Sequence, residues 1–182
     1  MIYVLLGASG SGKSTLGRYL EELGVPEIKS HSTRPMRKGE SQGNPYHFVT
    51  PSEFESIEMI EDTPYDGANL YGTSKAEVKR VFAISDTAYA ILDKHGVYAF
   101  KEYFGEDEVK VIYVYLPLVD LVERLKARGD SEAEIRKRVR HALATKELEN
   151  HDIADYIIVN RDLDESKRQL RFMVGLPQIG DW

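Results

Sequence analysis

The sequence predicts an α/β fold: a doubly wound parallel sheet with a small β-rich lobe inserted between two α/β units. Three observations lead there. Four short apolar runs, rich in β-branched and aromatic residues, are nearly continuous rather than alternating, the pattern of strands covered on both faces. Helical periodicities separate them, and strand–helix alternation implies a parallel sheet. Across residues 30–72 that rhythm breaks, with Pro35, Gly39, Gly43, Pro45, Pro51, Pro64 and Gly67 in succession.

The elements follow in order. Residues 2–6 form the first strand, and a glycine-rich turn joins it directly to a helix over 14–23. Within the insert, residues 46–49 are β-like and Asp66-Gly67 is a turn signal. This lobe lacks a full core of its own. Residues 75–82 return to helical spacing through Ala76, Val78, Val81 and Phe82. Strands at 89–92, 109–116 and 156–159 complete the sheet. A helix over 118–127 places Leu118, Leu121, Val122 and Leu125 on one face, and one over 132–148 does so with Ile135, Val139, Ala142 and Leu143. Residues 164–174 make a closing helix.

Composition narrows the function. A chain of 182 residues fits one domain of about 100–200 residues with a real core. With no cysteine there is no disulfide, thiolate metal site or cysteine nucleophile, which fits a reducing compartment and a cytoplasmic place. A net charge of −6 argues against broad nucleic-acid binding, while leaving room for a local basic pocket. No run approaches the ~20 apolar residues of a membrane helix, and the first apolar run is too short for a signal segment. The five histidines show no metal-ligand spacing. Monomer and homodimer both remain open.

The strongest motif is Gly7-Ala8-Ser9-Gly10-Ser11-Gly12-Lys13-Ser14-Thr15, which matches G-x-x-x-x-G-K-[ST] between a strand and a helix. Glycines let successive N–H groups converge on one anion, and the helix N-terminus adds positive charge. Lys13 would reach the outer phosphates and the Ser14 hydroxyl would ligate Mg²⁺. The bland reading is a Gly/Ser turn that binds nothing. The bare pattern arises by chance in on the order of one chain in a hundred of this size, and its placement makes chance rarer still. At the end of another buried strand, Asp93 could orient a magnesium shell or a bound nucleotide, although a plain strand-end cap is the simpler reading. Arg34 and Arg37, three apart beside Ser30, Ser32 and Thr33 and stiffened by Pro35, suit a phosphate monoester through bidentate forks. Alone, such loop arginines are usually solvated surface.

Taken in order, these segments resemble the guanylate kinase family. The resemblance runs from the phosphate loop through Ser30-x-x-Thr33-Arg34-x-x-Arg37, Gly39-Glu40, Tyr46-His47-Phe48, Glu61 and Tyr71-Gly72-Thr73. It continues through Asp93, Arg124-Leu125-x-x-Arg128-Gly129 and Arg138, and ends near Asn160. It implies a P-loop nucleoside monophosphate kinase fold in one domain. The core would comprise residues 1–29, 74–123 and 141–182, with a GMP-binding lobe at 30–73 and a helical lid at 124–140. It implies that Arg34, Arg37, Tyr46 and Tyr71 hold the GMP phosphate. Ser30, Glu61 and Thr73 would read guanine, with Asp93 at the guanine end or in the magnesium network. ATP would be the phosphate donor, with Mg²⁺. Arg124, Arg128 and Arg138, with Lys13, would clamp the transferring phosphoryl group, which needs positioning and charge neutralisation rather than a general base.

Bottom-up chemistry agrees on the base. A carboxylate at Glu61 accepts from two neighbouring donors, which guanine offers and adenine does not. Each residue also has a plainer reading: a surface carboxylate at Glu61, packing tyrosines at 46 and 71, and solvated arginines. Asp120 is placed to pair with Arg124, and Glu132 with Arg136 and Glu134 with Arg138, whereas Arg128 has no helical partner because Gly129 ends the helix. The chain departs from the family pattern at Ser32, at Pro45 and in the shortened Asp93-Lys94-His95-Gly96. Two other readings are a related small-molecule kinase, such as one acting on ribose 1,5-bisphosphate, and an inactive binding module. The first has no use for Glu61 and Thr73, and the second would have a degraded loop and lid.

Overall fold

The computed structural model describes residues 1–65 and 69–176, so the Asp66-Gly67 turn lies outside the described residues. The order is β1 (Ile2–Leu6), α1 (Lys13–Glu22), β2 (His31–Ser32), β3 (His47–Phe48), α2 (Pro51–Ser56), β4 (Met59–Tyr65), β5 (Asn69–Ser74), α3 (Lys75–Phe82) and β6 (Ala88–Ile91). Then come α4 (Lys94–Phe104), β7 (Val109–Tyr115), α5 (Leu118–Ala127), α6 (Glu132–Ala144), β8 (Tyr156–Val159) and α7 (Leu163–Met173).

Four parallel strands make the core sheet, in the order β6–β1–β7–β8. Beyond β6, Ile28 N–H donates to Tyr89 O at 2.7 Å and Tyr89 N–H to Pro26 O at 3.0 Å, extending the sheet edge. The strand period of two sorts the core. Ile2, Val4 and Leu6 face α3 and α4, packing with Val78, Val81, Val97 and Phe100. Leu5, with Ile112, Val114 and Ile158, faces α1 and α7, against Leu16, Leu20 and Leu170. Each such side chain contributes ~1.5–3 kcal/mol by leaving water. A third cluster, of Ala8, Leu116, Leu121, Leu125, Ile135 and Ala142, fastens α5 and α6 beneath the phosphate loop.

The predicted α/β architecture with its β-rich insert is observed, and α3, α5 and β8 fall on their expected residues. Two helices go beyond the expectation. α2 is started by a capping box, in which Thr50 accepts from Glu53 N–H while Glu53 accepts from Thr50 N–H. α4 is started by Asp93, whose Oδ1 accepts from Gly96 N–H at 2.8 Å. α6 stops at Ala144 rather than running to 148, and Lys146 just beyond it has φ 55.

The insert folds as a second sheet, β3–β2–β5–β4, in which only β2 and β3 run parallel. α4 of the core packs against β4. Glu77 on α3, 5% exposed, accepts from Lys29 N–H at 3.1 Å and from Arg80, and lies 3.2 Å from His47 Nε2 of β3. A core helix thus grips the lobe at its root.

The chain passes from β1 to β6 on one side and then to β7 on the other. Loops leaving neighbouring parallel strands therefore diverge at their C-terminal ends and open a crevice there. Gly7 after β1, Asp93 after β6 and Asn160 after β8 all emerge at that edge.

Candidate active site

Residues 7–12 must turn from the end of β1 into the N-terminus of α1. Gly12 caps α1 at φ 106, and no side chain bonds the helix's first amides. Those amides and their share of the helix dipole face the crevice. Gly12 is constrained a second time, because a Cβ there would stand 2.1 Å from Asn160 Nδ2. Asn160, 2% exposed, donates that Nδ2–H to Ser11 O at 2.7 Å. Arg124 of α5 donates to Ser11 O at 3.1 Å and to Asn160 O at 2.7 Å. The loop is thus held from behind by two distant elements. Asp120, the expected partner of Arg124, binds Arg161 instead at 2.7 Å. The sequence pointed to Arg124 but assigned no role to Asn160, whose only local signal is its place at a strand end.

Lys13 Nζ donates to the carbonyls of Gly7 and Ala8. Loss of solvent around this ammonium lowers its pKa, and Glu147 pulls the other way. Gly7, Ser9, Gly10, Gly12, Ser14 and Thr15 line the cleft with Lys13. Ala8 and Ser11 are buried behind it, 3% and 1% exposed.

Arg128 and Arg138, the other two arginines expected to clamp phosphate, share one counter-ion. Arg128 donates to Asp130 through Nε at 2.8 Å and through Nη2 at 2.5 Å, and Arg138 Nε lies 3.1 Å from Asp130 Oδ2. Arg128 is therefore paired, contrary to the helical spacing. Gly129, at φ 90, turns the chain as the helix ends and brings Asp130 back. Hydrogen bonds from Arg128, with Arg138 adding, hold the Asp130 carboxyl below its usual range. Arg138 Nη1 also donates to Ser9 Oγ at 2.6 Å, tying α6 to the phosphate loop.

Across the cleft, Arg34 is 8% exposed and makes a two-pronged bond to Glu40 at 2.7 and 2.6 Å. Its guanidinium carbon lies 5.3 Å from the Tyr46 ring centre and 5.2 Å from that of Phe48. Tyr46 meets Tyr71 edge-on at 5.4 Å, and Arg37 is exposed at the same wall. Deeper in, Glu61 is 7% exposed, just past a register shift in β4 that begins at Met59. Burial raises its pKa to about 7, with the Asp93 charge adding and the facing Thr73 hydroxyl opposing. Ser30 Oγ lies 3.1 Å from Thr73 Oγ1. Thr73 itself is fully buried and does not line the cleft, but bonds to Ser30 and Glu61, which do.

Asp93 lines the cleft with one oxygen committed to capping α4, and Lys94 and His95 stand beside it at the helix start. Lys94 Nζ is 3.7 Å from Asp152. The Ser14 hydroxyl and the Asp93 carboxylate are hard oxygen donors of the kind Mg²⁺ takes. Among the described residues no group of three or more His, Cys, Asp or Glu could hold a metal. That sparse donor set fits an ion that draws most of its ligands from phosphate and water.

All these walls belong to one cleft of about 1110 Å³. The family model described as guanylate kinase matches residues 1–175. A guanylate kinase from Bradyrhizobium diazoefficiens is 36% identical, over 98% of this chain and 84% of that protein. One from Neisseria meningitidis is 34% identical, over 96% and 86%. The crystal structure of guanylate kinase from Anaplasma phagocytophilum superposes with a TM-score of 0.69 at 25% identity, covering 99% of this chain and 89% of that one. A shikimate kinase from Bacteroides thetaiotaomicron shares the fold at a TM-score of 0.53 and 17% identity, covering 97% and 99%. Sequence, fold and cleft converge, and the chain belongs to the guanylate kinase family.

Proposed function

We propose that this cleft transfers the γ-phosphoryl group of ATP to GMP, giving GDP and ADP, with dGMP as a second acceptor. One observation carries the reading. A single cleft joins an uncapped helix N-terminus behind a lysine loop to a buried carboxylate flanked by an arginine–tyrosine wall. The first end suits a triphosphate and the second a purine monophosphate with two adjacent donors.

The roles follow from chemistry. Amides of residues 7–15 and Lys13 cradle the donor phosphates. Arg124, Arg128 and Arg138 neutralise charge on the transferring group, and Asp130 keeps two of them together until phosphate replaces it. Arg34, Arg37, Tyr46 and Tyr71 hold the acceptor phosphate, while Glu61, Ser30 and Thr73 select guanine. Ser14 and Asp93 would hold Mg²⁺, which would supply positive charge to offset that of the phosphates. Holding the acceptor oxygen in line with the γ-phosphorus removes most of the entropic barrier, and lobe and lid exclude water. Among the described residues no helix is long and apolar enough to cross a membrane. We infer a cytoplasmic enzyme acting on small nucleotides.

The test is phosphoryl transfer from Mg-ATP to GMP, dGMP, AMP, CMP, UMP and ribose 1,5-bisphosphate. Transfer to GMP and dGMP alone is expected. In Lys13→Ala, kcat is expected to fall by roughly 10²–10³. Transfer to ribose 1,5-bisphosphate in preference to GMP rejects the guanine reading, and no transfer with ATP still bound rejects catalysis.

A further inference from the structure

A guanidinium carries five N–H donors, and the fold commits three of those on Arg34. Nη1 donates to Glu40 Oε2 at 2.7 Å and to Pro35 O at 2.9 Å, which uses both of its hydrogens. Nη2 donates once, to Glu40 Oε1 at 2.6 Å. The two uncommitted hydrogens sit on Nε and Nη2. They lie in one plane, point the same way and form the guanidinium's second fork. Glu40 therefore takes the end of Arg34 and leaves its side edge. The group has little freedom to turn, since it is 8% exposed and lies against the rings of Tyr46 and Phe48. Glu40 is fixed in turn, because its Oε2 also accepts from Arg37 N–H at 2.8 Å.

We propose that Glu40 is a positioning residue for the acceptor phosphate, holding Arg34 end-on so that the Nε–Nη2 edge is presented to the monoester. This rests on the reading of Arg34, Arg37, Tyr46 and Tyr71 as the monophosphate site. The carboxylate does not compete with the phosphate, because the two occupy different edges of one planar ion. It also stays charged during turnover, as the Arg34 bonds hold its pKa at about 2. An arginine so fixed loses little side-chain entropy when phosphate binds.

The test is steady-state kinetics on wild type, Glu40→Gln, Arg34→Ala and the double variant. Glutamine keeps one oxygen for Arg37 N–H, so the loop stays closed while the charge and the second acceptor are lost. The expected result for Glu40→Gln is a GMP KM about tenfold higher, with kcat within about threefold and the ATP KM unchanged. The unchanged ATP KM reports an intact fold. The double variant is expected to be no worse than Arg34→Ala, because Glu40 acts through Arg34. A lower GMP KM in Glu40→Gln overturns the proposal and makes Glu40 a competitor of phosphate. An unchanged GMP KM, or additive losses in the double variant, overturns it as well and leaves Glu40 a loop support. If Arg34→Ala itself spares the GMP KM, the phosphate-site reading fails and takes the proposal with it. The two failures are therefore distinct.

Discussion

The proposed guanine contact at Glu61 ties base choice to a proton. Guanine offers two adjacent donors, and only the ionised carboxylate accepts from both. Burial brings the Glu61 pKa to about 7, so at neutral pH a sizeable share is protonated and presents a donor where an acceptor is needed. GMP binding is therefore expected to weaken as pH falls. The GMP KM is expected to rise about tenfold per pH unit below 7, while the ATP KM stays flat over that range. Glu61→Gln is expected to remove that slope and to cut discrimination between GMP and AMP by roughly 10²-fold or more. Initial rates against both acceptors from pH 5.5 to 8.5 decide it. A GMP slope that survives in Glu61→Gln assigns the titration to another group, the phosphate monoester of GMP included, whose second pKa is about 6.

At the scale of elements, the phosphate loop was legible because its chemistry is local: glycines, a lysine and a helix start within nine residues of sequence. What holds the loop was not. Asn160 meets Ser11 across 149 residues, and Arg124 meets it across 113. No periodicity records such contacts. The lid arginines were visible as residues but not as a group, because Asp130 reaches them through a glycine turn rather than by helical spacing. α4 escaped because Gly96 and its valine and aromatic residues argue against a helix, whereas burial of Val97 and Phe100 decides for one. α2 could have been read from Thr50-Pro51-Ser52-Glu53, a capping box with proline at the first helical position. The β4 register shift just before Glu61 carries no sequence mark, so the burial of that carboxylate had to come from the family resemblance. The loop's backing gives a prediction. Gly12→Ala places a Cβ at a left-handed φ and against Asn160 Nδ2, so the Asn160–Ser11 bond must break. The expected cost is ~1–3 kcal/mol in urea unfolding, with loss of ATP binding out of proportion to it. Wild-type ATP affinity in Gly12→Ala refutes the idea that Asn160 shapes the loop.

Across the whole molecule, three bodies contribute to one cleft: the sheet with its loop, the lobe held by Glu77 and α4, and the lid tied to Ser9 by Arg138. In the proposed reading each substrate binds mainly to one wall, both put phosphate into the same space, and Arg128 and Arg138 leave Asp130 to meet it. Either nucleotide should therefore draw the walls together and lower the ordering cost for the other. Thermal unfolding measures this directly. A ligand at about 100 times its Kd stabilises by ~2.7 kcal/mol. At ~2–4 °C per kcal/mol for a chain of this size, that is a shift of about 5–11 °C. GMP and a non-hydrolysable ATP analogue, each at that ratio, are each expected to shift Tm by this amount. Together with Mg²⁺ they are expected to exceed the sum of the separate shifts, while AMP replaces GMP poorly. An additive result means that the two sites close independently and that the lid–loop tie through Arg138 transmits nothing. A GMP shift that vanishes in Glu61→Gln while the ATP-analogue shift persists locates guanine selection in the lobe and donor binding in the core.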